Sequence, residues 1–156
     1  MMALTSANNY FEDFEVGQKI RHARGATIDE VENQLLTKLV MNTAQGHWNE
    51  DSMSKSPYGQ RLVFGFITAS MVIGLATQDT AENAIKELGL NNLKFKKPVF
   101  HGDTVYAYTE VLGKEDTGDG GVLTFKHWGL NQEKVVVFQG ERRVLIKKRG
   151  GVNPDG

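Results

Sequence analysis

Apolar residues in the first half of the chain recur at helical spacing in two separate segments. In the first segment the apolar positions lie three and four residues apart: Val31, Leu35, Leu36, Leu39 and Val40. This spacing predicts a helix from about Ile28 to Met41, with Thr27 as its N-cap and Glu30 completing a capping box. The second segment begins near Gly65 and is apolar on almost every side, which is typical of a helix buried over most of its surface.

Beyond Leu90 the apolar period changes from that of a helix to that of a strand. Apolar and polar residues alternate in four stretches, at about 93–97, 105–112, 121–130 and 134–147. The sequences TGDGG at 117–121 and NQE at 131–133 suit the connections of β-hairpins. The pattern therefore predicts an α+β fold in which an antiparallel sheet packs around one unusually apolar helix.

Length and composition indicate one domain, which we place in residues 1–149, followed by a flexible tail at 150–156. Residues 9–26 are expected to form a short arm anchored by scattered apolar side chains. A net charge of −1 disfavours a nucleic-acid-binding protein, and no apolar run approaches the roughly 20 residues of a membrane span. Without cysteine or a recognisable secretory signal, the chain is expected to be cytoplasmic, and no His and carboxylate spacing indicates a metal site.

Basic residues gather in two places that are open to two interpretations. Lys94, Lys96 and Lys97 form one group, and a second group lies near the end of the chain: Arg142, Arg143, Lys147, Lys148 and Arg149. Such residues commonly guard the exposed edge of a sheet. The alternative is a small positively charged patch that binds a phosphorylated ligand.

Three stretches, NTAQGH at 42–47, SPYGQRLVFGF at 56–66 and KKPVFHGDTV at 96–105, resemble motifs of MaoC-like dehydratases. NTAQGH at 42–47 lies where that family has Gly-Asp-x-Asn-Pro-x-His, and SPYGQRLVFGF at 56–66 resembles the family's Ser-Pro-Phe-Gly turn followed by Arg-Ile-Val-His-Gly. KKPVFHGDTV at 96–105 resembles the family's Pro-Val-x-x-Gly-Asp strand entry. The matches occur in the family's order, so the resemblance spans about Phe11 to Ile146. It implies a hot-dog fold, a curled antiparallel sheet wrapped around a central helix.

The resemblance implies a hydro-lyase that adds water reversibly across the α,β double bond of an enoyl-coenzyme A thioester. It needs no cofactor, because coenzyme A belongs to the substrate. His47 falls on the family's catalytic histidine, and Gly65 on the glycine whose amide, at a helix N-terminus, holds the thioester oxygen. Arg61, Val63 and Phe64 fall at substrate-binding positions, although Arg61 serves equally well in a structural ion pair. The NTAQGH run is similar to the mesaconyl-CoA hydratase (β-methylmalyl-CoA dehydratase) branch.

Asn42 departs from the family, since it stands in place of the motif's aspartate. An amide can position water but cannot carry a proton at neutral pH. We favour His47 as the base, with Asn42 orienting water and with water or substrate supplying the acid. Three alternatives remain: Glu50 or Asp51 replaces the missing carboxylate, the motif alignment is shifted, or the chain binds acyl-CoA without catalysis.

The resemblance also implies an assembly, because hot-dog domains of this kind pair into homodimers or higher homo-oligomers with ligands at the interface. Two rival functions stay open at this point. One is a hot-dog thioesterase that hydrolyses acyl-CoA, which would need a carboxylate aimed at the thioester. The other is a non-catalytic acyl-CoA-binding protein, which the substitution at Asn42 suggests.

Overall fold

Five antiparallel strands form a single sheet in the computed structural model, which describes residues 8–150. The strands are β1 (Lys19–Thr27), β2 (Ala84–Phe95), β3 (Thr104–Asp116), β4 (Gly120–Leu130) and β5 (Val136–Lys147). Their order across the sheet is β1-β3-β4-β5-β2, so β1 and β2 are the edges. Residues 151–156 of the predicted tail lie outside the described residues.

Three α-helices accompany the sheet: α1 (Glu30–Leu39), α2 (Glu50–Ser54) and α3 (Gly65–Thr80). Short 3₁₀ turns occupy Phe11–Asp13 and Gln45–His47. None of these helices in residues 8–150 is long and apolar enough to cross a membrane. The order of elements and the strand pairing confirm the predicted α+β arrangement, in which the long apolar helix α3 is followed by β2 and then by the antiparallel meander β3-β4-β5.

Helix α3 packs against the sheet and builds the larger hydrophobic core with it. Its apolar contributions to this core are Ile67, Ala69 and Val72, and strand residues opposite them include Val105, Ala107, Val137 and Phe138. Helix and sheet approach closely because a Cβ atom at Gly129 of β4 would lie 2.5 Å from Cγ2 of Val72. Removal of this apolar surface from water is the main stabilising contribution to the fold.

The N-terminal segment is only partly as predicted. Phe11 and Phe14 are buried and anchor a second apolar cluster with β3, β4 and β5, which agrees with the expected arm. Residues Lys19–Thr27, however, form edge strand β1. The alternation that marks a strand is missing there, because His22 is its only fully buried residue.

Helix α1 is confirmed as a helix, but its start and its buried face differ from expectation. Its N-cap is Asp29, with Glu32 completing the capping box, and Thr27 instead ends β1. The residues buried against the protein are the polar Asn33 and Thr37. The apolar residues that predicted the helix are exposed: Val31, Leu35, Leu36, Leu39 and Val40. A polar face therefore points inward and an apolar face outward.

A row of hydrogen-bonded polar side chains connects α3 with three strands. Nδ1 of His22 lies 2.6 Å from Oδ2 of Asp79 in α3, and Nε2 of His22 lies 2.7 Å from Oγ1 of Thr109. The same hydroxyl lies 2.7 Å from Nδ1 of His127. We assign His127 Nδ1–H as donor to Thr109, Thr109 as donor to His22, and His22 Nδ1–H as donor to Asp79. This assignment leaves Nε2 of His127 as a bare lone pair and buries no unpaired N–H.

The neutral state of His127 makes stability depend on pH. Burial, with a further contribution from the positive charge of Arg142, lowers the pKa of His127 to about 3. An unfolded chain, whose histidine pKa is near 6.5, binds a proton between these values that the folded chain does not. The contribution of neutral His127 to the free energy of unfolding is therefore full above about pH 6.5 and decreases as the pH falls below that value. His127 contributes a slope of up to roughly 1.4 kcal/mol per pH unit.

Urea denaturation of the wild type and of His127→Gln at several pH values between 4 and 7 measures this contribution. We expect the slope of unfolding free energy against pH to be shallower in His127→Gln by up to one proton. Asp13→Asn is the control, because the carboxyl pKa of Asp13 is lowered from 3.8 by its hydrogen bond with Arg149 and so lies below this range. Equal slopes in the wild type and His127→Gln would contradict the neutral buried state.

Candidate active site

A cavity of about 300 Å³ opens beside the N-terminus of α3. His47 and Gly65, which lie 18 positions apart in sequence, both line it. The other lining residues come mainly from the segments around 58–68 and 95–99: Tyr58, Leu62, Val63, Thr68, Phe95, Lys96, Lys97, Pro98, Val99 and Val137. The structure thus brings the predicted histidine and the predicted helix-opening glycine to one cavity.

His47 is held at both its ring and its backbone. Its Nδ1 lies 3.0 Å from the carbonyl of Leu62, and because a carbonyl only accepts, Nδ1 carries the proton in the neutral ring. Nε2 is then unprotonated and able to accept a proton. The backbone carbonyl of His47 accepts hydrogen bonds from Asn33 Nδ2 at 3.2 Å and from Gln34 Nε2 at 2.7 Å.

Gly65 is the first residue of α3, directly after the N-cap Phe64. The first amides of a helix have no partner within it, and they carry the positive end of the helix dipole. A Cβ atom at position 65 would lie 3.0 Å from the ring of Phe95. Glycine therefore serves two purposes here, since it leaves the amide accessible and lets the aromatic ring pack against the helix start.

The buried side chain of Asn33 in α1 joins the two parts of the site. Its Nδ2 donates to the carbonyl of His47 and to the carbonyl of Leu62, both at 3.2 Å. Its Oδ1 accepts from the backbone N–H of Phe64 at 2.9 Å. Asn33 is fully buried, so without it the N–H of Phe64 would lose its partner, and each of the two carbonyls would keep only one among the described residues, from Gln34 Nε2 and from His47 Nδ1. One amide therefore fixes the histidine segment against the start of α3.

His101 adds a third acceptor around Asn33 Nδ2, since its Nε2 lies 2.9 Å from that nitrogen, and the two N–H groups of the amide are shared among the three acceptors. Burial, and then the positive charge of Arg61, lower the pKa of His101. A lowered pKa keeps the ring neutral and Nε2 able to accept. This contact gives His101 a structural role.

Arg61 forms ion pairs with two helices instead of facing the cavity. Its Nε lies 2.6 Å from Oε2 of Glu50 at the start of α2, and its Nη2 contacts the carboxylate of Glu30 at the start of α1. The guanidinium holds the pKa of the Glu30 carboxyl below its usual value. This geometry supports the structural interpretation of Arg61. It also places Glu50, one of the two carboxylates considered as replacements for the family's aspartate, in an ion pair. Asp51, the other, pairs with Lys55 at the surface.

The remaining predicted residues occupy different positions around the site. Val63 is buried and lines the cavity. Phe64 packs its ring 5.4 Å from that of His47 and lines a neighbouring apolar groove. Asn42 lies on the loop after α1, where its Oδ1 accepts from the backbone N–H of Ala44 at 3.0 Å, and it is not among the described residues that line the cavity. This hydrogen bond between the Asn42 side chain and the Ala44 backbone stabilises the turn of the loop.

Sequence reasoning missed two residues of the site. Asn33 was missed because the apolar residues around it were taken as the buried face of the helix. The available signal was the spacing of the polar residues 33 and 37, which lie one turn apart on the opposite face. Thr68 escaped because a hydroxyl in an apolar helix usually bonds to the backbone of its own helix. Its surroundings become informative only in three dimensions.

Fold and site together define a hot-dog domain with a histidine and a helix N-terminus at one cavity. A family model for mesaconyl-CoA hydratase matches residues 3–148, and the chain belongs to that family. The mesaconyl-CoA hydratase of Haloarcula marismortui is 34% identical over 152 residues, which cover 89% of this chain and 42% of that protein. The (R)-specific enoyl-CoA hydratase of Rhodospirillum rubrum is 34% identical and covers 91% of this chain and 94% of its own length.

A solved structure confirms the predicted hot-dog fold. A Mycobacterium tuberculosis protein with a double hot-dog fold superimposes with a TM-score of 0.81 at 20% identity, over 93% of this chain and 46% of that chain. The chain also spans only 32–42% of the first four curated relatives it matches. Those relatives are therefore more than twice as long as the matched region.

Replacing Asn33 should uncouple the two sides of the cavity. In Asn33→Asp the oxygen that accepts from Phe64 is kept, but the donors to the carbonyls of His47 and Leu62 are lost. We expect the free energy of unfolding to fall by about 2–3 kcal/mol, because buried acceptors then face a carboxylate. Urea denaturation measures the change.

Gln34→Ala provides a matched control on the neighbouring residue, since it removes one hydrogen bond to the same carbonyl of His47 from a half-buried position. The expected loss for Gln34→Ala is about 1 kcal/mol or less. If Asn33→Asp were no more destabilising than Gln34→Ala, Asn33 would not have the central role described above.

Proposed function

We propose that this chain carries the active site of an enoyl-CoA hydratase, which adds water reversibly across the α,β double bond of an acyl-CoA thioester. The observation that carries the proposal is the single cavity lined by both His47 and Gly65. The neutral ring of His47 has Nε2 free to accept a proton, and the amide of Gly65 opens a helix. These are the two groups that hydration of a polarised double bond requires.

The proposed reaction uses each group in turn. The thioester oxygen accepts a hydrogen bond from the amide of Gly65, which stabilises the enolate that develops when the β-carbon is attacked. His47 Nε2 takes one proton from water as the hydroxyl oxygen bonds to the β-carbon. The imidazolium, in place of the water or substrate expected above as the acid, then gives that proton to the α-carbon, so that the elements of water are added and the histidine is regenerated. No cofactor takes part apart from the coenzyme A of the substrate.

Lys96 and Lys97 support a coenzyme A thioester as the substrate class. Both are exposed and line the same cavity. Within residues 8–150 neither forms an ion pair. Two free cations at the entrance suit the phosphates of coenzyme A. This favours the anionic-ligand interpretation for Lys96 and Lys97.

The family supports a finer assignment of the substrate. Relatives named mesaconyl-CoA hydratase and β-methylmalyl-CoA dehydratase are 34–37% identical to this chain. We therefore propose that the acyl group is short and carries a second carboxylate.

The cysteine-free sequence supports the cytoplasm as the location.

A second copy of this chain completes the proposed enzyme. Edge strand β2 exposes a row of large apolar side chains: Ile85, Leu88, Leu90 and Phe95. Exposed apolar surface on an unpaired edge is what a pairing interface requires. The curated relatives are longer, and a protein with a double hot-dog fold superimposes on this chain over only 46% of its own length. We therefore place a second copy of this chain where such proteins have their second half.

The cavity disfavours the rival thioesterase. Hydrolysis by that route needs a carboxylate aimed at the thioester, and none of the described residues that line the cavity is Asp or Glu. The binding protein without catalysis is favoured only by the absence of the family's aspartate at Asn42. Both rivals are distinguished by the following experiment.

His47→Gln is expected to lower kcat/KM for hydration of crotonyl-CoA by about 10²–10⁴-fold, because the group that accepts the proton is removed. Binding of the thioester should change little, since the amide of Gly65 and the two lysines remain. Loss of the enoyl absorbance measures turnover, and calorimetry measures binding. Release of free thiol from both crotonyl-CoA and saturated butyryl-CoA would indicate a thioesterase. Binding of both crotonyl-CoA and mesaconyl-CoA without turnover of either by the wild type would indicate a non-catalytic protein.

Leu90→Lys tests the assembly, because a charge on the exposed edge of β2 opposes pairing with a second copy. We expect sedimentation velocity to show a dimer or larger species for the wild type and a monomer for Leu90→Lys, with hydration reduced in parallel. Val16→Lys, at an exposed apolar residue that precedes β1, should leave the assembly unchanged. A monomeric wild type with full activity would refute the proposed pairing.

A further inference from the structure

Thr68 carries a buried hydroxyl with no hydrogen-bond partner among residues 8–150. The residue is only 2% exposed, and it lines the cavity that contains His47 and Gly65. Other threonines of α3 behave differently: Thr77 donates to the carbonyl of Ile73 and Thr80 to that of Ala76, both at 2.7 Å. A buried hydroxyl without a partner is costly and calls for an explanation.

The position of Thr68 along α3 shows which part of a bound thioester it meets. It lies three residues after Gly65 and hence on the same side of the helix, about 4.5 Å further along the axis. Gly65 is half-buried whereas Thr68 is buried, so Thr68 lies deeper in the protein. An acyl group whose carbonyl oxygen meets the Gly65 amide and that continues into the protein therefore extends towards Thr68.

The other buried residues of the cavity are apolar, namely Val63, Val99 and Val137. A purely hydrocarbon acyl chain would fill this region and leave the Thr68 hydroxyl unpaired. An acyl chain with an oxygen beyond the thioester would pair with it. Sites that hydrogen-bond a substrate group discriminate strongly against analogues that lack it.

We propose that Thr68 determines substrate specificity by donating a hydrogen bond to a carboxylate carried by the acyl group. This proposal rests on the proposed hydratase function, and it selects dicarboxylic enoyl-CoA thioesters over hydrocarbon ones. The hydroxyl is held ready in the absence of substrate because nothing else in the described chain bonds to it.

The experiment compares mesaconyl-CoA with crotonyl-CoA in the wild type, Thr68→Val and Thr68→Ser. Thr68→Val keeps the side-chain shape but removes the hydroxyl. We expect its kcat/KM for mesaconyl-CoA to fall about 10- to 100-fold, the range for a hydrogen bond to a charged group. Its kcat/KM for crotonyl-CoA should change less than about threefold, and Thr68→Ser should retain the wild-type preference.

Thermal stability separates this role from a structural one. Since the hydroxyl has no partner in the unliganded protein, Thr68→Val should melt at the wild-type temperature or above. Thr80→Val is the matched control, because it removes a hydroxyl that does have a partner at an equally buried position of the same helix. Thr80→Val should melt at a lower temperature and leave the ratio of the two kcat/KM values unchanged.

Two results would overturn the proposal: an equal loss on both thioesters in Thr68→Val, or no change in their ratio. Failure of the hydratase function is recognised separately, because the wild type would then turn over neither thioester. In that case calorimetry decides the role of Thr68. Weaker binding of mesaconyl-CoA but not of crotonyl-CoA by Thr68→Val would uphold it, and unchanged relative binding would refute it.

Discussion

The buried amide of Asn33 is the interaction on which the candidate site depends. His47 lies in a short 3₁₀ turn and Gly65 begins a helix, and neither element alone fixes the other's position. Asn33 uses its nitrogen for the His47 side and its oxygen for the Phe64 side, so both ends of the amide are needed. In a low-dielectric interior each lost partner is costly, which makes the arrangement rigid. The spacing of two groups at the cavity is thus set by a residue in another helix.

Local patterns explain what could be predicted from the sequence. The start of α3 and the two central hairpins were predicted correctly, because a change of apolar period and turn residues mark them. Strand β1 was missed since an edge strand exposed on most positions has no alternation to detect. The motif located His47 and Gly65, but the partners of Arg61 could not be chosen, because Glu30 and Glu50 reach it only through tertiary packing.

Helix α1 buries its polar face, which includes Asn33, and exposes its apolar face. With its polar residues turned inward, α1 exposes Leu35 and Leu39, each more than 60% accessible. Phe66 on α3 and the apolar residues of β2 add to this surface. A chain that buries polar groups to build a site and leaves apolar groups outside has surface to cover. The greater length of its curated relatives is consistent with that requirement.

One buried polar atom without a partner in the described chain, the hydroxyl oxygen of Thr68, lies at the candidate site. Within residues 8–150 three buried side-chain atoms lack a partner: Trp48 Nε1, Thr68 Oγ1 and His127 Nε2. His127 tolerates this as a bare lone pair in a row that is otherwise fully bonded. The indole N–H of Trp48 has no acceptor in that range, since the ammonium of Lys38, 5.7 Å from the ring centre, is itself a donor. Only Thr68 of the three lines the cavity. Among these residues, the hydroxyl of Thr68 is thus the unpaired group that lies beside His47 and Gly65, where the proposed substrate would supply its partner.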